Sequence, residues 1–359
     1  MQAGAEPQVA QSGDLFGTET KPSCSGLASE QGGTSVVGEY LDNSVERVPM
    51  VDHEGKSGAL LERVTLPDGR RLIVKRFLPK TDPLMAALGD VVGREYILWS
   101  RGILDRLPPE VGHAVVDGWV DGDETVIVMR DLGDSVLTWQ DRLTREQCRS
   151  VMIAVAAQHR AFLGVAPDDL TPLPDLLALF APDRMAPFAD SPNPLAAITL
   201  RGWDIFGETV PADVAGSVLA LLADPLPLAD ALQSRPTTLI HGDLATVNMA
   251  LSEGKLTLLD WAMPAAAPGA VDIARFVAGC SSVVDMSREQ IIADYAEAAG
   301  SAFDETAMRL SLLGALCWLG WNKALDAAEH PDPVVRAREH QDLDWWVQQA
   351  RWTLNAGLL

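Results

Sequence analysis

Ile240-His241-Gly242-Asp243-Leu244-Ala245-Thr246-Val247-Asn248, followed shortly by Leu258-Leu259-Asp260-Trp261, is the stretch that decides how this chain is read. Residues Met249 to Leu251 read as a short strand, Ser252 to Lys255 as a turn and Leu256 to Leu259 as the return strand, together a hairpin. Asn248 and Asp260 lie symmetrically about Gly254, so antiparallel pairing is expected to bring them to the same open end. A carboxylate and an amide carbonyl are hard oxygen ligands, and a pair of them completed by water or phosphate oxygens suits Mg²⁺. Asp243 stands five positions before Asn248 in the loop entering the hairpin, within reach of a hydroxyl that attacks phosphorus.

The spacing of these residues resembles the catalytic loop of kinases. His241-Gly242-Asp243 with a later Asp260-Trp261, in place of Asp-Phe-Gly, resembles the aminoglycoside phosphotransferase and choline kinase branch of the protein-kinase-like superfamily. That resemblance covers about Arg47 to Leu354. It implies an α+β, bilobal protein-kinase-like fold with a small antiparallel-sheet N-lobe and a larger, mainly helical C-lobe. The expected division is a disordered tail over 1–35, a nucleotide-binding N-lobe over 36–130 and a catalytic and substrate-binding C-lobe over 131–359. ATP would lie between the lobes, with Ser57, Lys75, Glu95 and the connector residues Arg130 and Leu132 around it. Asn248 and Asp260 would hold Mg²⁺, and Asp243 would be the catalytic residue that positions the acceptor hydroxyl.

Residue by residue, Lys75 follows the apolar run Leu72-Ile73-Val74, and a lysine in such a strand is tolerated when it has an anionic partner. Glu95 is that expected partner; at about 4 Å the pair gains roughly 4 kcal/mol at an effective dielectric near 20, before desolvation. The plainer alternative is a lysine on the exposed side of a half-buried strand. Gly55-Lys56-Ser57 is not a P-loop, because Met50 stands where that pattern needs glycine and the triplet lies between strands. The resemblance instead implies a loop covering nucleotide phosphates. It also assigns His241 to bracing the backbone and Asp272 to tying down the catalytic loop from a following helix. His159 reads as a packed core histidine.

The chain has 359 residues and a formal charge of −22. Such charge opposes binding to a nucleic-acid backbone and agrees with a small-molecule acceptor, possibly cationic. The four scattered cysteines read as buried thiols rather than a metal or redox motif. With no basic start, no apolar leader and no stretch long enough to span a bilayer, a cytoplasmic protein is expected.

Strands are expected over about 47–51, 59–66, 71–77 and 125–129, with the turn Pro67-Asp68-Gly69 between the second and third. One amphipathic helix is expected over about 84–103. Further helices are expected through Val151 to Phe162 and over 213–222, 288–299 and 307–326, with a last one ending near Leu354. Trp318, Trp321, Trp345, Trp346 and Trp352, gathered with Glu329, Asp332, Glu339, Asp342 and Asp344, invite a site for an ammonium group; a packed core with a solvated acidic face is the competing reading. A catalytically silent binding protein, a choline-type amino-alcohol kinase and a protein kinase are the rival functions. The absence of Asp-Phe-Gly and of a later Ala-Pro-Glu weighs against the last.

Overall fold

The computed structural model describes residues 41–50, 58–191 and 193–359. The expected tail over 1–35 and Ser57 lie outside the described residues. Alternating apolar positions produce a five-stranded antiparallel sheet ordered β1-β2-β3-β6-β5, where β1 is Glu46–Pro49, β2 Leu60–Thr65, β3 Arg71–Phe77, β5 Val115–Asp121 and β6 Glu124–Arg130. The first three strands form the expected meander, and Gly69 takes a φ of 84° in its turn. Side chains alternate across a strand. Leu72 and Val74 therefore enter a small cluster with Val64, Val126 and Val128, while Phe77 and Ile127, on the opposite face, belong to the main core. Lys75 shares the parity of Phe77 and pairs in register with Ile127.

The single helix expected over 84–103 is two: α1, Pro83–Ala87, and α2, Arg94–Ser100. Gly89 and Gly93 take φ of 65° and 103°, and the Asp90 carboxylate accepts the N–H groups of Gly93 (2.7 Å) and Arg94 (2.8 Å). A side chain that caps the second helix in this way ends the first. The break also fixes where α2 presents Glu95.

After β6 the chain passes Asp131, whose buried carboxylate receives Arg63 (2.9 Å) and Arg71 (3.3 Å) from the sheet. The remainder is mainly helical. α3 spans Arg145–Ala161, α4 Leu195–Thr209, α5 Ala212–Ala223, α6 Leu226–Gln233, α7 Ala270–Cys280, α8 Arg288–Ala299, α9 Glu305–Glu329 and α10 Pro333–Asn355. α9 packs against α4, α7 and α10 and is buried along most of its length. Two small sheets sit within this part: β7, Thr238–Ile240, with β10, Ala265–Ala267, and β4, Val111–His113, with the hairpin β8, Met249–Ser252, and β9, Lys255–Leu258. Cys148, Cys280 and Cys317 are free and buried, as expected of core thiols. Among the described residues no single helix is long and apolar enough to cross a membrane.

Candidate active site

The loop after β7 is gripped from below by α7. Asp272, fully buried in the first turn of that helix, accepts the N–H groups of His241 and Gly242, each at 2.8 Å, and His159 Nε2 at 3.2 Å. Burial alone would raise this carboxyl's pKa, but the bond and charge of His159 and the His241 contacts reverse the effect and lower it. His159 is buried as expected, yet it is no passive core residue, since Nδ1 meets Tyr295 Oη at 2.9 Å while Nε2 faces Asp272. His241 has the bracing role: Nδ1 accepts the Asp243 N–H (3.3 Å), so Nε2 carries the proton and donates to the Leu259 carbonyl (2.9 Å). Gly242 takes a φ of 85°, and a Cβ there would lie 1.8 Å from the Met263 carbonyl oxygen. Only glycine fits that close crossing.

The hairpin forms with a one-residue correction. Glu253 and Gly254 are its central residues, both with positive φ (51° and 78°), which suits a two-residue turn. The centre of symmetry therefore falls between them and not on Gly254, so Met249 pairs with Leu258 and the Leu259 N–H donates to the Asn248 carbonyl. Asn248 stands opposite Leu259, one position short of Asp260. Asp260 takes a φ of 57°, uncommon for a residue with a side chain, and this bend turns the chain out of the strand direction. Both residues still line the same cleft.

Asn248 Nδ2 donates to the carbonyl oxygen of Asp243 (2.9 Å) and to its Oδ2 (3.1 Å). Its Oδ1 is therefore the atom left for a cation. On the other side of Asp243, Arg275 Nη2 lies 2.7 Å from Oδ1. The sequence reading did not single out Arg275. The available signal was its place three residues after Asp272 on the same helix.

Lys75 and Glu95 meet as expected, Nζ to Oε2, at 3.0 Å. Lys75 Nζ also contacts Asp260 Oδ1 at 2.6 Å, a link the sequence did not suggest. Burial by itself would lower the ammonium's pKa; the two carboxylates overcome it and raise it, so Lys75 stays charged. Burial likewise pushes the Asp260 carboxyl up, and the Lys75 charge more than reverses this. Lys75, Glu95, Asp243, Asn248 and Asp260 all line one cleft with about 830 Å³ of open space. Hard oxygen donors converging beside a fixed ammonium fit a divalent cation and a polyphosphate.

Other expected residues fall elsewhere. Arg130 ends β6 and its guanidinium donates to the His113 carbonyl; neither it nor Leu132 lines this cleft. The C-terminal tryptophans and acids form no open ammonium site. Trp318, Trp321 and Trp346 are buried, and Glu339 and Asp342 are neither solvated nor free. They bracket Lys323 at 3.2 and 2.6 Å and receive Arg338 and Arg288 in turn. Glu329 pairs with Arg201, and Asp332 caps α10.

Residues 59–310 match the model of the phosphotransferase enzyme family, and the chain belongs to that family. It is a phosphotransferase with an α+β fold, a small antiparallel sheet followed by a larger, mainly helical part. Among solved structures it is similar to an aminoglycoside phosphotransferase from Alicyclobacillus acidocaldarius (18% identity, 92% of this chain and 96% of that one, TM-score 0.46). It is also similar to a choline kinase from Cryptosporidium parvum (11% identity, 90% and 97% covered, TM-score 0.50). No curated protein matches the chain.

Proposed function

We propose that this protein transfers the γ-phosphoryl group of ATP, in the presence of Mg²⁺, to a hydroxyl of a small molecule. The observation that carries the reading is the convergence of Asp243, Asn248, Asp260 and the Lys75–Glu95 pair on one cleft. Residues 36–130 would form the nucleotide-binding lobe and 131–359 the lobe that supplies the catalytic loop and acceptor site, with Arg130 and Leu132 in the connector and Ser57 in the loop over the phosphates.

Lys75, aimed by Glu95, would neutralise phosphate charge. Asn248 and Asp260 would hold Mg²⁺, which when bound supplies charge neutralisation at the phosphate oxygens. Asp243 would orient the acceptor hydroxyl. Its oxygen attacks the γ-phosphorus, the bond to the β–γ bridging oxygen breaks, ADP leaves with that electron pair, and the hydroxyl proton passes to the Asp243 carboxylate. Alignment and fixed charge account for such catalysis, which is why few residues suffice.

The chain's formal charge of −22 favours an acceptor that carries positive charge, such as an amino sugar or amino alcohol. The test is a screen of hydroxylated and aminated small molecules with MgATP, read by mass spectrometry for the gain of one phosphoryl group. Asp243→Ala is expected to abolish that gain while calorimetry still shows MgATP binding. Full turnover in the variant would remove Asp243 from the chemistry.

A further inference from the structure

We propose that Arg275 is a positioning residue for Asp243, acting through the carboxylate to turn one of its oxygens toward the acceptor; this rests on the phosphotransfer reading above. α7 holds the catalytic loop at two points. Asp272 takes its backbone N–H groups, and one helical turn on Arg275 takes its carboxylate, with Nη2 at 2.7 Å from Oδ1. Oδ1 is buried and accepts no hydrogen bond among the described residues, so the Arg275 contact holds it by charge rather than by an aligned hydrogen bond. The Asp243 side chain is nonetheless 26% exposed, so the exposure belongs to its other atoms. Oδ2, steadied by Asn248 Nδ2 at 3.1 Å, is then the oxygen that meets a hydroxyl entering from the cleft.

Arg275 is itself seated on two sides. Its guanidinium lies over the Trp318 ring, 4.8 Å from the centroid, and its Nη1 occupies the space a Cβ at Gly279 would need, 2.2 Å away. The side chain is only 9% exposed, and Nε and Nη1 have no hydrogen-bond partner among the described residues. A buried guanidinium so poorly solvated is held in place by its counter-charge, and Asp243 is the carboxylate it pairs with. The pairing is mutual: each group fixes the other. Gly279 thus has a definite reason to be glycine inside a helix that glycine otherwise weakens.

The experiment measures ADP release from MgATP, with the acceptor found by the screen and with water alone, for wild type, Arg275→Ala, Arg275→Lys, Gly279→Ala, Asp243→Asn and the Arg275→Ala/Asp243→Asn double variant. Thermal melting of each reports folding. Misplacing a reacting group by about 1 Å costs on the order of 100-fold, so Arg275→Ala is expected to lower kcat by about that factor with KM for ATP within about twofold. Arg275→Lys is expected to recover part of the loss. Gly279→Ala leaves both charged groups in the protein and pushes the guanidinium from its seat, so it is expected to lose about tenfold in kcat with KM for ATP within about twofold.

If Arg275 acts through Asp243, the double variant is no slower than Asp243→Asn alone; a merely structural role gives losses that multiply. An unchanged kcat in Arg275→Ala and Gly279→Ala, beside an Asp243→Asn slowed to a small measurable residual rate, overturns this inference and leaves phosphotransfer standing. A wild-type chain that consumes no ATP with any acceptor or with water overturns both.

Discussion

Two buried lysines in this molecule are held almost identically and serve different ends. Lys75 lies 3.0 Å from Glu95 and 2.6 Å from Asp260; Lys323 lies 3.2 Å from Glu339 and 2.6 Å from Asp342. In both, burial opposes the ammonium charge and the two carboxylates more than restore it. The difference lies in what surrounds the acids. The Asp260 side chain is 41% exposed and faces the cleft, whereas Asp342 is 4% exposed and takes Arg288, as Glu339 takes Arg338. One triad keeps a carboxylate open to a ligand, and the other closes its charges against each other between α9 and α10. A lysine between two acids is therefore not a site by itself; an accessible, unsated carboxylate makes it one.

Substitution breaks the comparison in opposite directions. Lys75→Ala is expected to lower the phosphotransfer rate by about 10²–10³-fold, the scale for losing one preorganised charge at a reacting phosphate, and to cost less stability than the loss of Lys323, because it strands one buried carboxylate, Glu95, and not two. Lys323→Ala is expected to cost about 3–5 kcal/mol of stability in denaturant titration, because it strands two buried carboxylates, while kcat/KM of the folded fraction is unchanged. Rate loss in the second variant, or collapse of the fold in the first, would erase the distinction. Replacing Lys323, Glu339 and Asp342 together by Met, Leu and Leu sharpens it: the buried charges are gone and the two that lose partners, Arg288 and Arg338, have side chains 26% and 50% exposed, so stability within about 1 kcal/mol of wild type, or above it, is expected by urea titration.

The smallest effect is one of pH. Burial would raise the Glu339 carboxyl's pKa, but Lys323 and Arg338 outweigh this and set it below its ordinary 4.5. The unfolded chain then takes up this proton before the folded one. The stabilisation is complete above the unfolded value and drains away as pH falls below 4.5 through the folded value. Glu339→Gln is expected to flatten the stability-against-pH curve in that acid range, as measured by melting at a series of pH values.

How much could be read beforehand depended on whether the signal was local. The hairpin and the Lys75–Glu95 pair were legible because turn residues and a charge inside an apolar strand encode them, and the Asp272 tether was implied by the family resemblance. The split between α1 and α2 was missed because the amphipathic pattern runs across it, while the break is made by Asp90 and by Gly89 and Gly93 at positive φ. β5 escaped because Gly118 and exposed residues interrupt its alternation, and it is paired only on its β6 side. Helices α4 and α6 escaped too, their starts lying at Pro194 and Pro225 without a side-chain cap. Of the two readings of the Trp and acid-rich C-terminus, the packed core holds for Trp318, Trp321 and Trp346 and the solvated face for Glu329, Asp332 and Asp344, while Glu339 and Asp342 are buried because partners such as Arg288 come from another helix and no local pattern announces them. Arg275 and the Lys75–Asp260 contact were hidden for the same reason: each joins segments far apart in sequence.

β4 runs parallel to β9, pairing Val111 with Leu256 and His113 with Leu258, and only Ala114 separates it from β5 of the large sheet. The ribbon that carries Asn248 and Asp260 is thus stitched to the sheet that carries Lys75 by a linker one residue long. A rocking motion of that sheet over the helices would drag the hairpin along, so widening the cleft and bending its acidic rim would be a single mechanical event.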